Sequence, residues 1–157
     1  MAGKFIFILA LLVMPLAGFC QLIGEVVSIA DGDTFTLLTA DKRQVKIRLH
    51  GIDAPESKQA FGQVSKQFLA GLVFKKKVYI KDNGQDRYGR TIGIVYLTSA
   101  MEAPSVNEEL LKSGLAWHYK KYDQNAEWAK LEQVARDGKK GLWKDASPMA
   151  PWDFRHQ

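Results

Sequence analysis

The chain has 157 residues, of which 46% are hydrophobic and 25% are charged. This length and composition suit one folded domain, and they exclude both whole-chain disorder and a protein with several membrane spans. The formal net charge of +5 is compatible with polyanionic partners but does not identify one. Cys20 is the single cysteine, so an internal disulfide is impossible.

The first twenty residues have the pattern of a secretory signal peptide. Lys4 precedes an uncharged apolar run, and Gly18 and Cys20 are the small residues expected before a cleavage point. The run is shorter than the about 20 apolar residues that a membrane-spanning helix needs. We expect a signal peptide at residues 1–20, cleavage before Gln21, export as a secreted or periplasmic protein, and no membrane association afterwards. A buried N-terminal helix and a lipid anchor at Cys20 are the alternatives.

The remaining chain predicts strands first and helices afterwards. Segments that are β-branched, or that alternate polar with apolar residues, predict five strands. These strands are at residues 23–29, 34–39, 44–49, 78–81 and 91–97. Apolar spacings of three and four residues, and a capping box, predict three helices. These helices are at residues 57–74, between Ser105 and Gly114, and at 123–137.

This order of elements predicts an α+β fold, a five-stranded OB-fold β-barrel with three α-helices. The domain is expected to span residues 21–146, and residues 147–157 to form a loosely ordered C-terminal tail. Val64 and Val134 are among the residues expected on the buried helix faces, and Trp128 is expected to pack in the core.

The acidic residues carry the sharpest functional signal. Asp31 and Asp33 lie in D-G-D-T, and Asp53 and Glu56 lie in R-L-H-G-I-D-A-P-E, residues 48–56. If the two turns meet at one barrel rim, these carboxylates repel one another unless a cation neutralises them. Oxygen ligands of this kind suit Ca²⁺ or Mg²⁺, whereas the three scattered histidines do not predict a zinc site.

Together with later motifs, these residues resemble the staphylococcal nuclease (thermonuclease) family. The ordered motifs are D-G-D-T at 31–34, R-L-H-G-I-D-A-P-E at 48–56, D-R-Y-G-R at 86–90, V-N-E-x-L at 106–110, G-L-A at 114–116 and G-L-W at 141–143. The resemblance covers about residues 22–145. It implies an OB-fold barrel with three helices, one Ca²⁺ cofactor, and hydrolysis of phosphodiester bonds in DNA and RNA.

The resemblance also implies the ligands of the metal. Asp33 and Asp53 match the metal-binding carboxylates, and Ala54 lies where the family often has a threonine that contributes its backbone carbonyl. Alanine keeps this carbonyl and removes a hydroxyl. Asp31 matches an acid beside the metal, and Glu56 matches the residue that activates or orients the attacking water.

The remaining implied roles concern the phosphate and the base. Arg48 and Arg90 match a pair that grips the phosphate, and arginine offers paired N–H donors that lysine cannot supply. Tyr88, Trp117 and Tyr119 match residues that line the nucleotide pocket, with Trp117 in place of a usual tyrosine. Packing is the alternative role for these three aromatic residues.

We therefore expect a secreted, monomeric, calcium-dependent nuclease with DNA and RNA as substrates, little sequence specificity and no stable protein partner. The main alternative is a noncatalytic OB-fold module that binds nucleic acid without cutting it. A third hypothesis, an anchored interaction protein, depends only on the N-terminal run. The sequence leaves open the preference between DNA and RNA and the physiological role.

Overall fold

The computed structural model describes residues 21–102 and 104–156. The predicted signal peptide lies outside the described residues. Within these two ranges, no helix combines the length and the apolar character that a membrane crossing requires.

Five strands close into a barrel, as the sequence predicts. Its strands are β1 (Gln21–Ile29), β2 (Thr34–Thr39), β3 (Gln44–Leu49), β5 (Lys77–Gln85) and β6 (Thr91–Tyr96), in the spatial order β1-β2-β3-β6-β5. All neighbours are antiparallel except β3 and β6, which are parallel. The predicted OB-fold barrel is confirmed, and β5 is longer than expected because Asp82 and Gln85 still pair with β6.

A second, two-stranded sheet lies outside the barrel. It pairs β4 (Ile52–Asp53) with β7 (Trp117–His118), so that Asp53 lies opposite Trp117 in the register. Neither strand is predicted from the sequence, because a two-residue strand has no periodicity. The pairing joins the loop after β3 to the segment after the second helix.

Alternation in β3 separates core residues from functional ones. Ile47 and Leu49 point into the barrel and are almost completely buried. Because successive side chains of a strand point to opposite faces, Arg48 must point away from this core. The apolar half of the pattern therefore fixes the direction of the arginine.

Three helices of seven or more residues pack around the barrel. They are α1 (Gly62–Val73), α2 (Val106–Lys112) and α3 (Ala126–Asp137), followed by a 3-10 turn (Gly141–Lys144) and a four-residue α4 (Pro151–Phe154). The capping box of α2 is confirmed, with Ser105 and Glu108 each accepting a hydrogen bond from the backbone N–H of the other. The described residues thus contain one short α-helix more than the three expected.

The predicted start of α1 is wrong. Residues 57–61 form turns, in which the Gln59 N–H donates to the Glu56 carbonyl and the Gly62 N–H donates to the Gln59 carbonyl. A Cβ at position 62 would lie 1.9 Å from the Glu56 carbonyl oxygen, so glycine permits this close approach. The helix therefore begins at Gly62, after the turns that follow Glu56.

Two further helix predictions are corrected. α3 begins after Asn125, whose side chain accepts hydrogen bonds from two backbone N–H groups of the first turn, and not at Asp123. Val64 and Val134, expected on buried faces, are 49% and 54% exposed. Both helices pack through a narrower apolar stripe than the periodicity suggests.

The expectation of a loosely ordered tail is also wrong. Ala150 and Pro151 are buried, and the Gln59 side-chain amide donates to the Met149 carbonyl at 2.7 Å. The Trp152 ring stacks on Tyr119 with centroids 4.9 Å apart and 12° between the planes. The C-terminal segment therefore packs on the face that carries the candidate site.

Candidate active site

Asp33 is held against the loop that follows β3. Its carboxylate accepts hydrogen bonds from the Ala54 N–H at 2.6 Å and from the Thr34 hydroxyl at 3.1 Å. The turn before it requires glycine, because a Cβ at position 32 would lie 2.2 Å from Ser65 Oγ. The two predicted acidic motifs therefore meet at one rim of the barrel.

Arg48 joins the two buried carboxylates. Its Nη1 lies 2.9 Å from Asp33 Oδ2, and its Nη2 donates to Asp53 Oδ1 at 2.7 Å. Nη1 also donates to the Ile52 carbonyl at 2.9 Å. The guanidinium thus uses its planar set of N–H groups to neutralise acids from two different loops.

The electrostatics of this cluster are those of a site that needs positive charge. The pKa of Asp33 is raised to about 8 in total: burial and the Asp31 and Asp53 carboxylates raise it, and they outweigh the Arg48 guanidinium, which lowers it. Asp53 is 1% exposed. A cation at this point would favour the ionised form of Asp33.

The donor set fits a hard cation. Asp33 and Asp53 offer carboxylate oxygens, and the Ala54 backbone lies beside Asp33 because its N–H bonds to that carboxylate. Such ligands suit Ca²⁺. In the described part of the chain, no group of three or more His, Cys, Asp or Glu side chains is placed to hold a metal ion. A site here would therefore rest on two carboxylates and a carbonyl.

Glu56 and Asp53 share a second arginine that the sequence does not predict. Arg155 Nη1 donates to Glu56 Oε1 at 2.6 Å, and its Nη2 donates to Asp53 Oδ2 at 2.8 Å. The hydrogen bond to Asp53, opposed by partial burial, raises the pKa of this arginine above its usual range. Arg155 follows 102 residues after Asp53, and no motif marks it.

Arg90 lies in a separate turn between β5 and β6. Its Nε donates to Asp86 Oδ2 at 2.7 Å, and the backbone N–H groups of Tyr88 and Arg90 donate to Asp86 Oδ1. Burial opposes ionisation of Asp86, but these hydrogen bonds lower its pKa below the usual range. β3 and β6 are neighbouring parallel strands with Arg48 opposite Ile92, so Arg90, which directly precedes β6, lies at the end of the strand next to that of Arg48.

The three predicted nucleotide-binding aromatics have different surroundings. Tyr88 is 68% exposed, with Arg90 5.6 Å from its ring centroid. Trp117 packs edge-on against Trp143 at 4.5 Å, and Tyr119 stacks on Trp152. Tyr88 is thus solvent-exposed with the Arg87 guanidinium also 4.8 Å from its ring centroid, whereas Trp117 has the contacts of a packing residue and Tyr119 is covered by the tail.

A histidine–aspartate cluster lies at the two-stranded sheet, because His118 belongs to its strand β7. His118 Nε2 lies 2.8 Å from Asp123 Oδ1, and His50 Nε2 lies 3.3 Å from Asp123 Oδ2. Burial raises the pKa of Asp123, but the hydrogen bonds with the Asn125 N–H and His118 outweigh burial. The pKa of Asp123 is therefore below its usual value. No sequence motif marks His50 or Asp123 as a link between distant segments.

Comparison with known proteins gives one family. Residues 46–145 match the model described as "Staphylococcal nuclease homologue". "Protein ParB" of Escherichia coli is 41% identical over 156 residues, covering 95% of this chain and 88% of that protein. "Uncharacterized endonuclease" of Haemophilus influenzae is 42% identical over 133 residues, covering 85% and 72%. "Micrococcal nuclease" of Shigella flexneri is 36% identical over 151 residues, covering 92% and 86%.

The matched range includes Asp53, Glu56 and both candidate arginines, while Asp33 precedes it. The full-length similarity to the Escherichia coli protein includes the region of Asp33 as well. The resemblance drawn from the motifs is thus confirmed: this chain belongs to the staphylococcal nuclease family.

Proposed function

We propose that this chain is a calcium-dependent nuclease that hydrolyses phosphodiester bonds in DNA and RNA with little sequence specificity. Its family and the nuclease names of its relatives identify a phosphodiester hydrolase. The observation that carries the finer proposal is the convergence of Asp33, Asp53 and Glu56 around arginine side chains at one rim. We also propose export of the chain, on the basis of its N-terminal pattern.

Asp33, Asp53 and the Ala54 carbonyl are the residues that would hold Ca²⁺. When bound, Ca²⁺ supplies positive charge that polarises a phosphoryl oxygen. Burial of the two carboxylates supports this assignment, because a bound metal ion would offset the solvation that their charge loses. Asp31 adds to the negative potential, and its carboxylate accepts from the Asp33 N–H at 3.0 Å.

Arg48, on β3, and Arg90, in the turn before the neighbouring β6, would bind the phosphate. Negative charge on the phosphoryl oxygens grows as water attacks, so forked N–H donors stabilise the transition state more than the ground state. Asp33 and Asp53 orient Arg48, and Asp86 orients Arg90. Both guanidinium groups are thus positioned before the substrate arrives.

Glu56 is the proposed general base. It lies in a rigid turn after Pro55, where its own N–H donates to the Gln59 side-chain oxygen at 3.1 Å. Its side chain is 36% exposed, so water can reach it. A carboxylate in this position takes a proton from the attacking water, and loss of such a group typically costs about 10²–10⁴-fold in rate.

Weak sequence specificity follows from the kinds of residue in the site. The proposed contacts involve phosphate and the aromatic rings of Tyr88 and Tyr119, and base stacking tolerates all four bases. The noncatalytic alternative would keep these binding contacts and lack cleavage. Presence of Glu56 beside Asp53 favours the enzyme over this alternative.

The deciding experiment incubates the purified chain with single-stranded DNA, duplex DNA and RNA in Ca²⁺, Mg²⁺ or excess chelator. We expect cleavage of all three substrates in Ca²⁺, weak cleavage in Mg²⁺ because the loop site suits a larger ion, and none in chelator. Full cleavage in chelator would refute the metal dependence. Binding without cleavage in every condition would favour the noncatalytic module.

Export is tested separately by mass spectrometry of the protein recovered outside the cytoplasm. The expected first residue is Gln21 or one within a few positions of it. Recovery of a chain that still begins at Met1 in the membrane fraction would contradict cleavage and support an anchor.

A further inference from the structure

We propose that the C-terminal segment, residues 148–156, is an internal ligand of the catalytic site that competes with both the cation and the nucleic acid. This inference rests on the proposed function, since it assigns the occupied groups to catalysis. The contacts of this segment inhibit the enzyme, and they must open before turnover.

The segment occupies the groups that the reaction needs. Arg155 bonds to Asp53, a proposed metal ligand, at 2.8 Å, and to Glu56, the proposed base, at 2.6 Å. A guanidinium on these oxygens supplies the positive charge that a metal ion would supply. Arg155 and a cation therefore compete for Asp53, and Arg155 also covers Oε1 of the proposed base, Glu56.

A second contact occupies the proposed base-binding face. The Trp152 indole lies parallel to the Tyr119 ring, with centroids 4.9 Å apart and 12° between the planes. It also contacts Trp117 edge-on, with centroids 5.5 Å apart. This is the stacking geometry that a nucleobase would use on Tyr119, so the segment places an aromatic ring and a charged group where a nucleotide and a cation would lie.

The segment is held weakly enough to be displaced. Its helix α4 has only four residues, and isolated helices shorter than about 12 residues are marginal in water, so α4 depends on its contacts with the domain. The Arg155 side chain is 40% exposed, which lets solvent and ions weaken its ion pairs. Ala150 and Pro151 are buried and would act as the fixed end.

The experiment uses the full chain with Arg155→Gln and Trp152→Ala, each with a matched control. Arg43→Gln removes an equally charged arginine that pairs with exposed Asp41, and Phe74→Ala removes an exposed aromatic ring. The measurements are the Ca²⁺ Kd by calorimetry and the Kd of a fluorescent phosphorothioate oligonucleotide in the absence of metal. Amide hydrogen exchange of residues 152–156 reports release of the segment.

The two variants separate competition from simple charge effects. Removing the Arg155 charge strengthens Ca²⁺ binding on either explanation, but charge loss alone would weaken oligonucleotide binding, whereas competition strengthens it. Trp152→Ala changes no charge and does not touch the carboxylates, so only competition lowers its Ca²⁺ Kd. We expect both variants to bind both ligands about three- to tenfold more tightly than the parent chain, as for the loss of one charge-assisted or stacking contact. The controls should change less than twofold.

Exchange of the tail amides should rise in both variants, and in the parent chain when Ca²⁺ and oligonucleotide are added together. Unchanged or weaker oligonucleotide binding by Arg155→Gln, or an unchanged Ca²⁺ Kd in Trp152→Ala, would overturn the proposal. Failure of every variant to cleave nucleic acid would instead refute the proposed function, because binding and exchange are measured without turnover. Absence of binding of either ligand to all variants would overturn both.

Discussion

The two candidate arginines differ in how the fold holds them. Arg48 leaves the barrel from β3, is 13% exposed, and bonds to acids contributed by two separate loops. Arg90 is 29% exposed and pairs with Asp86, four residues earlier in the same turn. Arg48 thus connects the turn before β2 to the segment after β3, whereas Arg90 is positioned by its own loop. The same residue type is therefore a link between two segments at position 48 and a locally held side chain at position 90.

The largest expected effect is at Glu56, which is linked through Arg155 to Asp53, a partner of Arg48. Glu56→Gln should lower kcat by about 10²–10⁴-fold, because an amide cannot accept the proton of the attacking water. Ca²⁺ and oligonucleotide binding should remain, which calorimetry can verify. Glu25→Gln, an exposed change in β1, is the matched control. Near-normal turnover in folded Glu56→Gln would remove this residue from the mechanism.

Unfolding free energies test the structural half of the comparison. Arg48→Ala should destabilise the metal-free protein by about 3 kcal/mol at neutral pH, because the buried Asp33 and Asp53 side chains lose the guanidinium that bonds to both, although Asp53 keeps its contact with Arg155. Arg90→Ala removes a partly exposed pair within one turn and should cost no more than about 1 kcal/mol. Denaturant titration at constant pH measures both. Equal losses would show that Arg48 is not the stronger link.

Lysine substitutions test the catalytic half. Arg48→Lys and Arg90→Lys keep the net charge, but a single ammonium group cannot form the forked contact to phosphate. We expect each to lower kcat/KM by about 10²–10³-fold, the range for loss of one transition-state donor. Arg43→Lys serves as the control at an exposed position. If Lys at position 48 or 90 supports normal turnover, that arginine acts only as charge.

The smallest expected changes in stability concern two aspartates, one with a long-range contact and one with a local contact, and these changes depend on pH. Asp123 contacts His50 across 73 residues, whereas Asp86 contacts Arg90 within one turn. Asp123→Asn should cost about 1–3 kcal/mol of unfolding free energy, because the buried His118 side chain loses a charged partner, and Asp86→Asn about 0.5–1.5 kcal/mol, the range for an ordinary hydrogen bond.

The sign of the pH dependence follows from the pKa shifts. Burial opposes them, but hydrogen bonds and ion pairs leave both pKa values below the usual 3.8. Each carboxylate therefore stabilises the fold above about pH 4, and this contribution is lost as the pH falls through the folded-state pKa. Each variant's deficit should shrink below pH 4. A deficit that stays constant down to pH 2 would contradict the assignment.

The strand and helix elements were largely predictable because their signals are local. Alternation in β3 indicated which residues face the core, and Ser105 with Glu108 marked the start of α2. The start of α1 was not predictable, since it depends on how closely Gly62 approaches the Glu56 carbonyl. Periodicity describes a helix that has formed, but not the tertiary contact that delays it.

The sequence by itself determined the five-stranded barrel, the two acidic motifs, and the motifs that contain Arg48 and Arg90. Only the tertiary structure decided that Asp33 meets Ala54, that Asp123 joins two histidines, and that Arg155 reaches Asp53. The physical reason is range: turns, caps and alternation arise between neighbouring residues, and they leave a readable pattern. An ion pair between a tail and a loop 102 residues away depends on the folded surface between them, so no local pattern records it.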